Sequence, residues 1–227
     1  MTMALFPRRQ KIAVVELFGT IGGSIKSPAY DHVFSSIRKD PRVRAVVLDI
    51  DSPGGSMTAS DYLYRSVAKV ATEKPVLASV RGLCASGAYL IGSAAQRIVA
   101  SPGSLVGSIG VISIRPVLEE LFQRLGIGVS VNKSGALKDM GAFWRRATDE
   151  EDTKMQALVD ESHEEFVSIL SQARHMDKDT MHGLATGEVY RAPQALKMGL
   201  VDELGDLDRA IDLAAELSGA PRRPVHV

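Results

Sequence analysis

One cysteine, Cys84, stands among 227 residues. No intrachain disulfide can form, so the fold does not depend on an oxidising compartment. Charge of either sign is not in excess: 27 Lys and Arg face 27 Asp and Glu. That balance argues against a nucleic-acid binder, which carries a basic surplus. No stretch approaches the roughly 18 consecutive apolar residues of a membrane span. The opening Met-Thr-Met-Ala-Leu-Phe-Pro-Arg-Arg-Gln has too short an apolar run for a signal peptide, and its charges follow that run. As written, the chain reads as soluble. There is no Walker-type glycine loop and no His/Cys/Asp cluster at ligand spacing, so neither cofactor nor metal is expected. No histidine lies between residues 33 and 162.

What is present is an ordinary globular composition, 45% hydrophobic and 24% charged, in a chain long enough for one large domain. Residues 1–10 read as a tail, 11–217 as a single domain, and 218–227 as a tail expected to be disordered. Apolar runs over Ile12–Phe18, Val43–Ile50, Pro75–Val80, Arg97–Ala100, Ile109–Ile112 and Ile127–Asn132 predict strands. Helices are predicted over Met57–Val70, from Ser86, over Pro116–Leu125, and from Asp149, where Thr148-Asp149-Glu150-Glu151 forms a capping box. The apolar stripe of that last helix, Met155, Leu158, Val159, Phe166, Ile169 and Leu170, is expected to pack on the body. A helix-rich C-terminal arm follows, with a short strand at Gly187–Tyr190 and helices over Ala192–Met198 and Asp206–Leu217. Alternation of strand and helix predicts an α/β fold with a largely parallel sheet.

Chemistry concentrates in four short motifs. Cys84-Ala85-Ser86-Gly87-Ala88-Tyr89 sets a serine among small residues where a strand meets a helix. Backbone amides and the positive end of the helix dipole can stabilise an oxyanion there; the plainer alternative is an N-cap serine. Cys84 reads as a buried filler. Asp51-Ser52-Pro53-Gly54-Gly55 ends a strand with two glycines, which free the backbone to turn its amides toward an anion. Gly55 and Gly87 together could form an oxyanion hole, and a tight turn is the plainer account of Pro-Gly-Gly. In Gly107-Ser108-Ile109-Gly110-Val111, Ser108 could hold a lysine in place, whereas Ser101 and Ser104 look like turn residues. Lys133-Ser134-Gly135-Ala136-Leu137-Lys138-Asp139-Met140 offers Lys138 as base. A lysine acts as base only when neutral, and burial against Leu137, Met140, Phe143 and Trp144 would disfavour its ammonium form. Asp139 would oppose that if close. The five histidines, His32, His163, His175, His182 and His226, lie away from these motifs, which weighs against a Ser-His-Asp triad.

In this order and spacing, with Ser86 and Lys138 52 positions apart (138 − 86), the motifs resemble the signal peptide peptidase A family of serine peptidases. The later Gly187-Glu188-Val189-Tyr190 and Gly199-Leu200-Val201-Asp202-Glu203-Leu204-Gly205 are similar to a further family signature, and the likeness spans roughly residues 11–215. The resemblance implies a Clp/crotonase-type fold of repeated ββα units, Ser86 as nucleophile, Lys138 as general base, Ser108 orienting the lysine, and Gly55 with Gly87 as oxyanion hole. It implies signal peptides or other unfolded apolar peptides as substrates. It also implies a homo-oligomer whose serine and lysine meet across a domain or subunit boundary. Ser86-Gly87-Ala88 departs from the family's usual Ser-Gly-Gly by one methyl. Family members commonly carry an N-terminal membrane anchor, so membrane association is a possibility. Two other classes share the fold: a crotonase-like acyl-CoA enzyme using carboxylates, which would leave Ser86 and Lys138 as coincidences, and a non-catalytic scaffold.

Overall fold

Three strands carry near-continuous apolar runs, and the reason is that both faces of a parallel sheet are covered. Ile12–Val15, Ala45–Leu48 and Val76–Ala78 are wholly buried or nearly so. The computed structural model describes residues 9–227, so most of the expected N-terminal tail, residues 1–8, lies outside the described residues. In chain order the elements are β1 (Lys11–Phe18), α1 (Ser27–Lys39), β2 (Val43–Ser52), α2 (Met57–Ala71), β3 (Val76–Ala85), α3 (Gly87–Ser93), β4 (Arg97–Ala100), β5 (Leu105–Gly107), α4 (Glu119–Arg124), α5 (Asp149–Ala173), α6 (Lys178–Leu184), β6 (Val189–Arg191), α7 (Ala192–Lys197), β7 (Glu203–Leu204), α8 (Leu207–Ser218) and β8 (Pro224–His226).

The described residues form two compact units, one comprising residues up to 110 together with 166–227, the other 111–165. The expected single domain, 11–217, runs through both. The first unit holds one sheet in the order β6-β5-β3-β2-β1-β8, with β4 added on β3 and β7 on β4. Every pairing is parallel except β5 with β6. The α/β expectation therefore holds.

Helix α8 shows how sequence becomes packing. Asp206 caps it by accepting the Arg209 amide at 3.0 Å, and Gly219 ends it in the left-handed region. Its apolar stripe, Ala210, Ile211, Leu213 and Ala214, closes over Ile12, Val14, Ala45, Val47, Leu77 and Val99. Burial of each large side chain there contributes about 1.5–3 kcal/mol.

Three expectations about elements are corrected. Residues 218–227 do not form a disordered tail: Pro224–His226 is β8, paired in parallel with Ile12–Val14 of β1. The unpaired edge of β1 supplies backbone partners that no local pattern reveals. Residues 109–112 are not a strand, because the pairing segment is β5, which ends at Gly107. Residues 127–132 also join no strand, despite the alternation Ile-Gly-Val-Ser-Val-Asn. An alternating pattern needs a partner edge, and Ile127, Val129 and Val131 stay 41–49% exposed.

In the second unit α4 begins at Glu119 rather than Pro116. The capping box of α5 forms as the sequence predicts. The Glu151 amide donates to Thr148 Oγ1 at 3.3 Å, and Glu151 Oε2 accepts the Thr148 amide at 2.9 Å. The α5 stripe packs only in part: Phe166 and Leu170 are buried, whereas Leu158 is 51% exposed.

Candidate active site

Ser86 sits at the junction of β3 and α3 with φ +53° and ψ −124°. For a serine this is a sparsely populated conformation, held only where surroundings over-determine it. The restraints are visible. The Ser86 amide donates to Gly107 O at 2.8 Å, and its carbonyl accepts the Leu90 amide at 3.0 Å. Its side chain makes no capping hydrogen bond, although it occupies the N-cap position of α3. The plain N-cap role is thus not the one its hydroxyl plays. Cys84, two residues earlier, is fully buried, and burial pushes its thiol well above its ordinary range. It is an inert filler, as the sequence suggests.

The Ser-Pro-Gly-Gly turn packs directly on this junction. Gly54 (φ +89°) lies so close that a Cβ there would stand 2.7 Å from Ala85 O, 2.8 Å from Gly87 N and 2.9 Å from Ser86 Cβ. Ser52, buried at the end of β2, accepts the Gly54 amide on its hydroxyl at 3.1 Å and holds the turn. Gly55 (φ +151°) forms a parallel bridge with Ile21. That bridge uses the Gly54 carbonyl, which accepts the Ile21 amide at 2.8 Å, and the Ser56 amide, which donates to Ile21 O at 2.9 Å. It leaves the Gly55 amide out. Gly87 is the first residue of α3, where a helix amide has no partner in its own ladder. The structure therefore brings the Gly54-Gly55 turn, Ser86 and Gly87 together.

Ser108 lies beside them. Residues 83–85 of β3 pair in parallel with 105–107 of β5, Ala85 opposite Gly107, so Ser86 and Ser108 follow on neighbouring strand ends. Ser108 has φ +50°, and its amide donates to Glu188 O at 2.6 Å. Ser86 and Ser108 are two of the three non-glycine residues with positive φ among the described residues. Ser101 and Ser104 form a turn, with Ser104 Oγ donating to Ser101 O at 2.7 Å.

Lys138 belongs to the second unit. It is exposed, in a turn where its amide donates to Gly135 O at 3.2 Å. The expected apolar cover over it is not there. Trp144 packs edge-on against Phe143, with ring centroids 5.2 Å apart, and Phe143 against Phe122 at 6.1 Å. The aromatic side chains pack on one another. Nor does Asp139 oppose a neutral Lys138 by pairing with it. It pairs with Lys133 at 2.6 Å and Arg145 at 2.8 Å, which hold its carboxyl well below the usual range. Arg145 also binds the buried Glu151 and holds its carboxyl at about 2.

Two anchoring residues carried no signal readable as chemistry. Tyr89, fully buried in α3, donates its hydroxyl to Leu200 O at 2.7 Å. Asp202 accepts the Ile98 amide at 2.6 Å and pairs with Arg174. Through Tyr89 the late Gly-Leu-Val-Asp segment pins the helix that begins at Ser86. The order of the motifs along the chain hints at such a tie, but only the fold supplies the contact.

Residues 68–220, which include Ser86, Gly87, Ser108 and Lys138, match peptidase family S49. The chain belongs to peptidase family S49. A relative from Methanocaldococcus jannaschii whose protease name is provisional is 38% identical over 189 residues, covering 83% of this chain and 61% of its own length. The chloroplastic serine protease SPPA of Arabidopsis thaliana is 31% identical, covering 97% of this chain and 34% of its own. The chain thus spans under two thirds of the length of each of these two relatives. A ClpP1 mutant from Listeria monocytogenes superposes with a TM-score of 0.59 at 12% identity, over 87% of this chain and 93% of that one. This S49 chain has the Clp/crotonase-type fold that its motifs imply. No described helix is long and apolar enough to cross a membrane, and no described cluster of three or more His, Cys, Asp or Glu could hold a metal ion.

Proposed function

We propose that this S49 chain is a serine endopeptidase acting through a Ser86–Lys138 dyad on signal peptides or other unfolded apolar peptides. The observation that carries the reading is Ser86 itself, a serine with φ +53° at a strand–helix junction whose side chain does no capping. Beside it stand a Gly55 amide unused by its bridge and a Gly87 amide at the start of a helix. Neutral Lys138 takes the Ser86 proton as Oγ attacks the scissile carbonyl. The Gly55 and Gly87 amides receive the oxyanion, the amine leaves with a proton from the lysine, and an acyl-enzyme remains. Water, deprotonated by Lys138, then attacks the acyl carbonyl; the lysine passes that proton to Ser86 Oγ as the ester bond breaks, which releases the acid and restores the serine. Ser108 orients the lysine. Ser86 lies in one unit of the chain and Lys138 in the other, and the reading includes a homo-oligomer with active sites shared between subunits.

The test is hydrolysis of an unfolded, apolar-rich protein by the parent, Ser86→Ala and Lys138→Ala, each with its oligomeric state measured. The parent cleaves, both variants are inactive by several orders of magnitude, and all three assemble alike. Variants that cleave like the parent would overturn the dyad, and thioester turnover indifferent to Ser86→Ala would favour the acyl-CoA class.

A further inference from the structure

The pairing of β2 with β3 contains a break that no motif announces. Ile50 stands opposite Val80, but Ser52 stands opposite Cys84, so β2 advances two residues while β3 advances four. Two extra residues are therefore accommodated around Arg81-Gly82-Leu83. Before the break, β3 pairs with β4 (Leu77–Val80 with Arg97–Ala100); after it, with β5 (Leu83–Ala85 with Leu105–Gly107). Bulges of this kind bend a strand and re-aim the side chains that follow. Two residues correspond to roughly 6.6 Å along a strand. Without the break, Ser86 would not come level with Gly54, whose backbone now lies against Ser86 Cβ.

The bulge is held at three consecutive residues. Arg81 reaches the carboxylate of Asp49, which is fully buried on β2, and lies 5.2 Å over the Phe18 ring. Among the described residues, the other Asp49 oxygen has no hydrogen-bond partner, so Arg81 is the group that compensates it. Gly82 lies against the Asp51 side chain: a Cβ there would stand 2.9 Å from Asp51 Oδ1. The Leu83 amide, freed from the ladder by the break, donates to the same Asp51 Oδ1 at 3.0 Å. Asp51 thus supplies the acceptor that the sheet withdraws, while its own carbonyl accepts the Gly19 amide at 2.9 Å.

We infer that Asp51 is a positioning residue for the nucleophile: its carboxylate clamps the β3 bulge and so sets where Ser86 stands against the Gly54-Gly55 turn. This rests on the reading of Ser86 as nucleophile, and it also makes a claim about the backbone alone. Asp51 touches no reacting atom. Its role requires an acceptor at Oδ1 rather than a negative charge, so Asp51→Asn keeps the clamp and Asp51→Ala removes it. Gly82→Ala drives a methyl into the clamp, and removing the Asp51 carboxylate makes room for that methyl.

The experiment has two readouts on the assembled, full-length chain. In the first, kcat and KM for an unfolded apolar peptide are measured for the parent, Asp51→Ala, Asp51→Asn, Gly82→Ala and Asp51→Ala/Gly82→Ala, with thermal midpoints as a check on folding. Asp51→Ala should lower kcat about tenfold to a hundredfold, as misplacement of a reacting group by about 1 Å does, with KM nearly unchanged. Asp51→Asn should stay within about threefold of the parent, and the double variant should be no worse than Asp51→Ala alone, the non-additivity of a shared contact. In the second, amide hydrogen exchange at Leu83 and Ser86 should speed up in Asp51→Ala and not in Asp51→Asn. Unchanged exchange in Asp51→Ala overturns the inference whether or not the protein is a peptidase. Faster exchange with kcat unchanged overturns the link to Ser86, and an Asp51→Asn variant as impaired as Asp51→Ala overturns the acceptor role. A parent that does not cleave, with the exchange pattern as expected, sinks the peptidase reading and leaves the clamp standing as a backbone device.

Discussion

Around Ser86 the backbone is held from many sides, whereas around Lys138 it is held by short turns and a network of paired charges. The first region has a strained serine fixed by Gly107 and Leu90, a turn packed at van der Waals limits, and a helix pinned through a fully buried tyrosine. The second has an exposed lysine beside an aromatic trio and an Arg145 network with Asp139 and Glu151. The comparison teaches that a serine held at positive φ requires packing on every side within its own unit, while an exposed lysine can be presented on a loop. It also locates where each region is vulnerable: the first to added volume, the second to loss of charge.

The largest effect should come from added volume at Gly87. A Cβ there would stand 2.0 Å from Oγ of the buried Ser60, whose hydroxyl donates to Ser56 O at 2.8 Å. Gly87→Ala should abolish hydrolysis and lower stability by about 1–3 kcal/mol, the range for overpacking. Peptide hydrolysis and urea unfolding measure both, and an active, equally stable Gly87→Ala would show that the packing around Ser86 is looser than described. The corresponding change beside the lysine, Gly135→Ala, meets nothing within 4 Å and should leave stability within about 0.5 kcal/mol.

Next in size is the acid response of the second unit. Arg145 holds Glu151 at about 2, below its ordinary 4.5. A carboxyl lowered by folding contributes stability that is complete above its ordinary value and is lost as pH falls through its folded one. Trp144, the chain's one tryptophan, adjoins this network and reports on it. Its fluorescence should hold steady down to about pH 4.5 and change between there and pH 2; in Arg145→Ala the change should move up toward the ordinary carboxylate range. A transition that stays in place would remove Arg145 from its anchoring role.

The smallest effect belongs to the exposed pair at the sheet edge. His226 Nδ1 lies 2.9 Å from Glu16 Oε1, with both side chains about half exposed. Exposed pairs contribute about 0–1 kcal/mol, so His226→Ala should shift the thermal midpoint by only a few degrees, with hydrolysis unchanged. A larger shift would mean that β8 depends on this contact rather than on its pairing with β1.

Much of this was legible in the residues. Continuous apolar runs mark β1 and β2 because both sheet faces are covered, and Thr148 with Glu151 mark the start of α5 because a helix must satisfy its first amides. Motif order announced the family, and small residues around Ser86 announced close backbone approach. Where sequence and structure part, the cause is a partner remote in the chain. Residues 127–132 alternate like a strand but join no sheet, while Pro224–His226, short and preceded by two arginines, become one because β1 has a free edge. Lys138 has apolar neighbours in sequence that prefer one another in space. The φ of Ser86, the four-against-two pairing of β3 with β2, and the acceptor that Asp51 lends to Leu83 were decided by tertiary structure alone. Periodicity and motif spacing record what each residue prefers locally. Strain and register arise only when separate strands must satisfy one another's backbone at once.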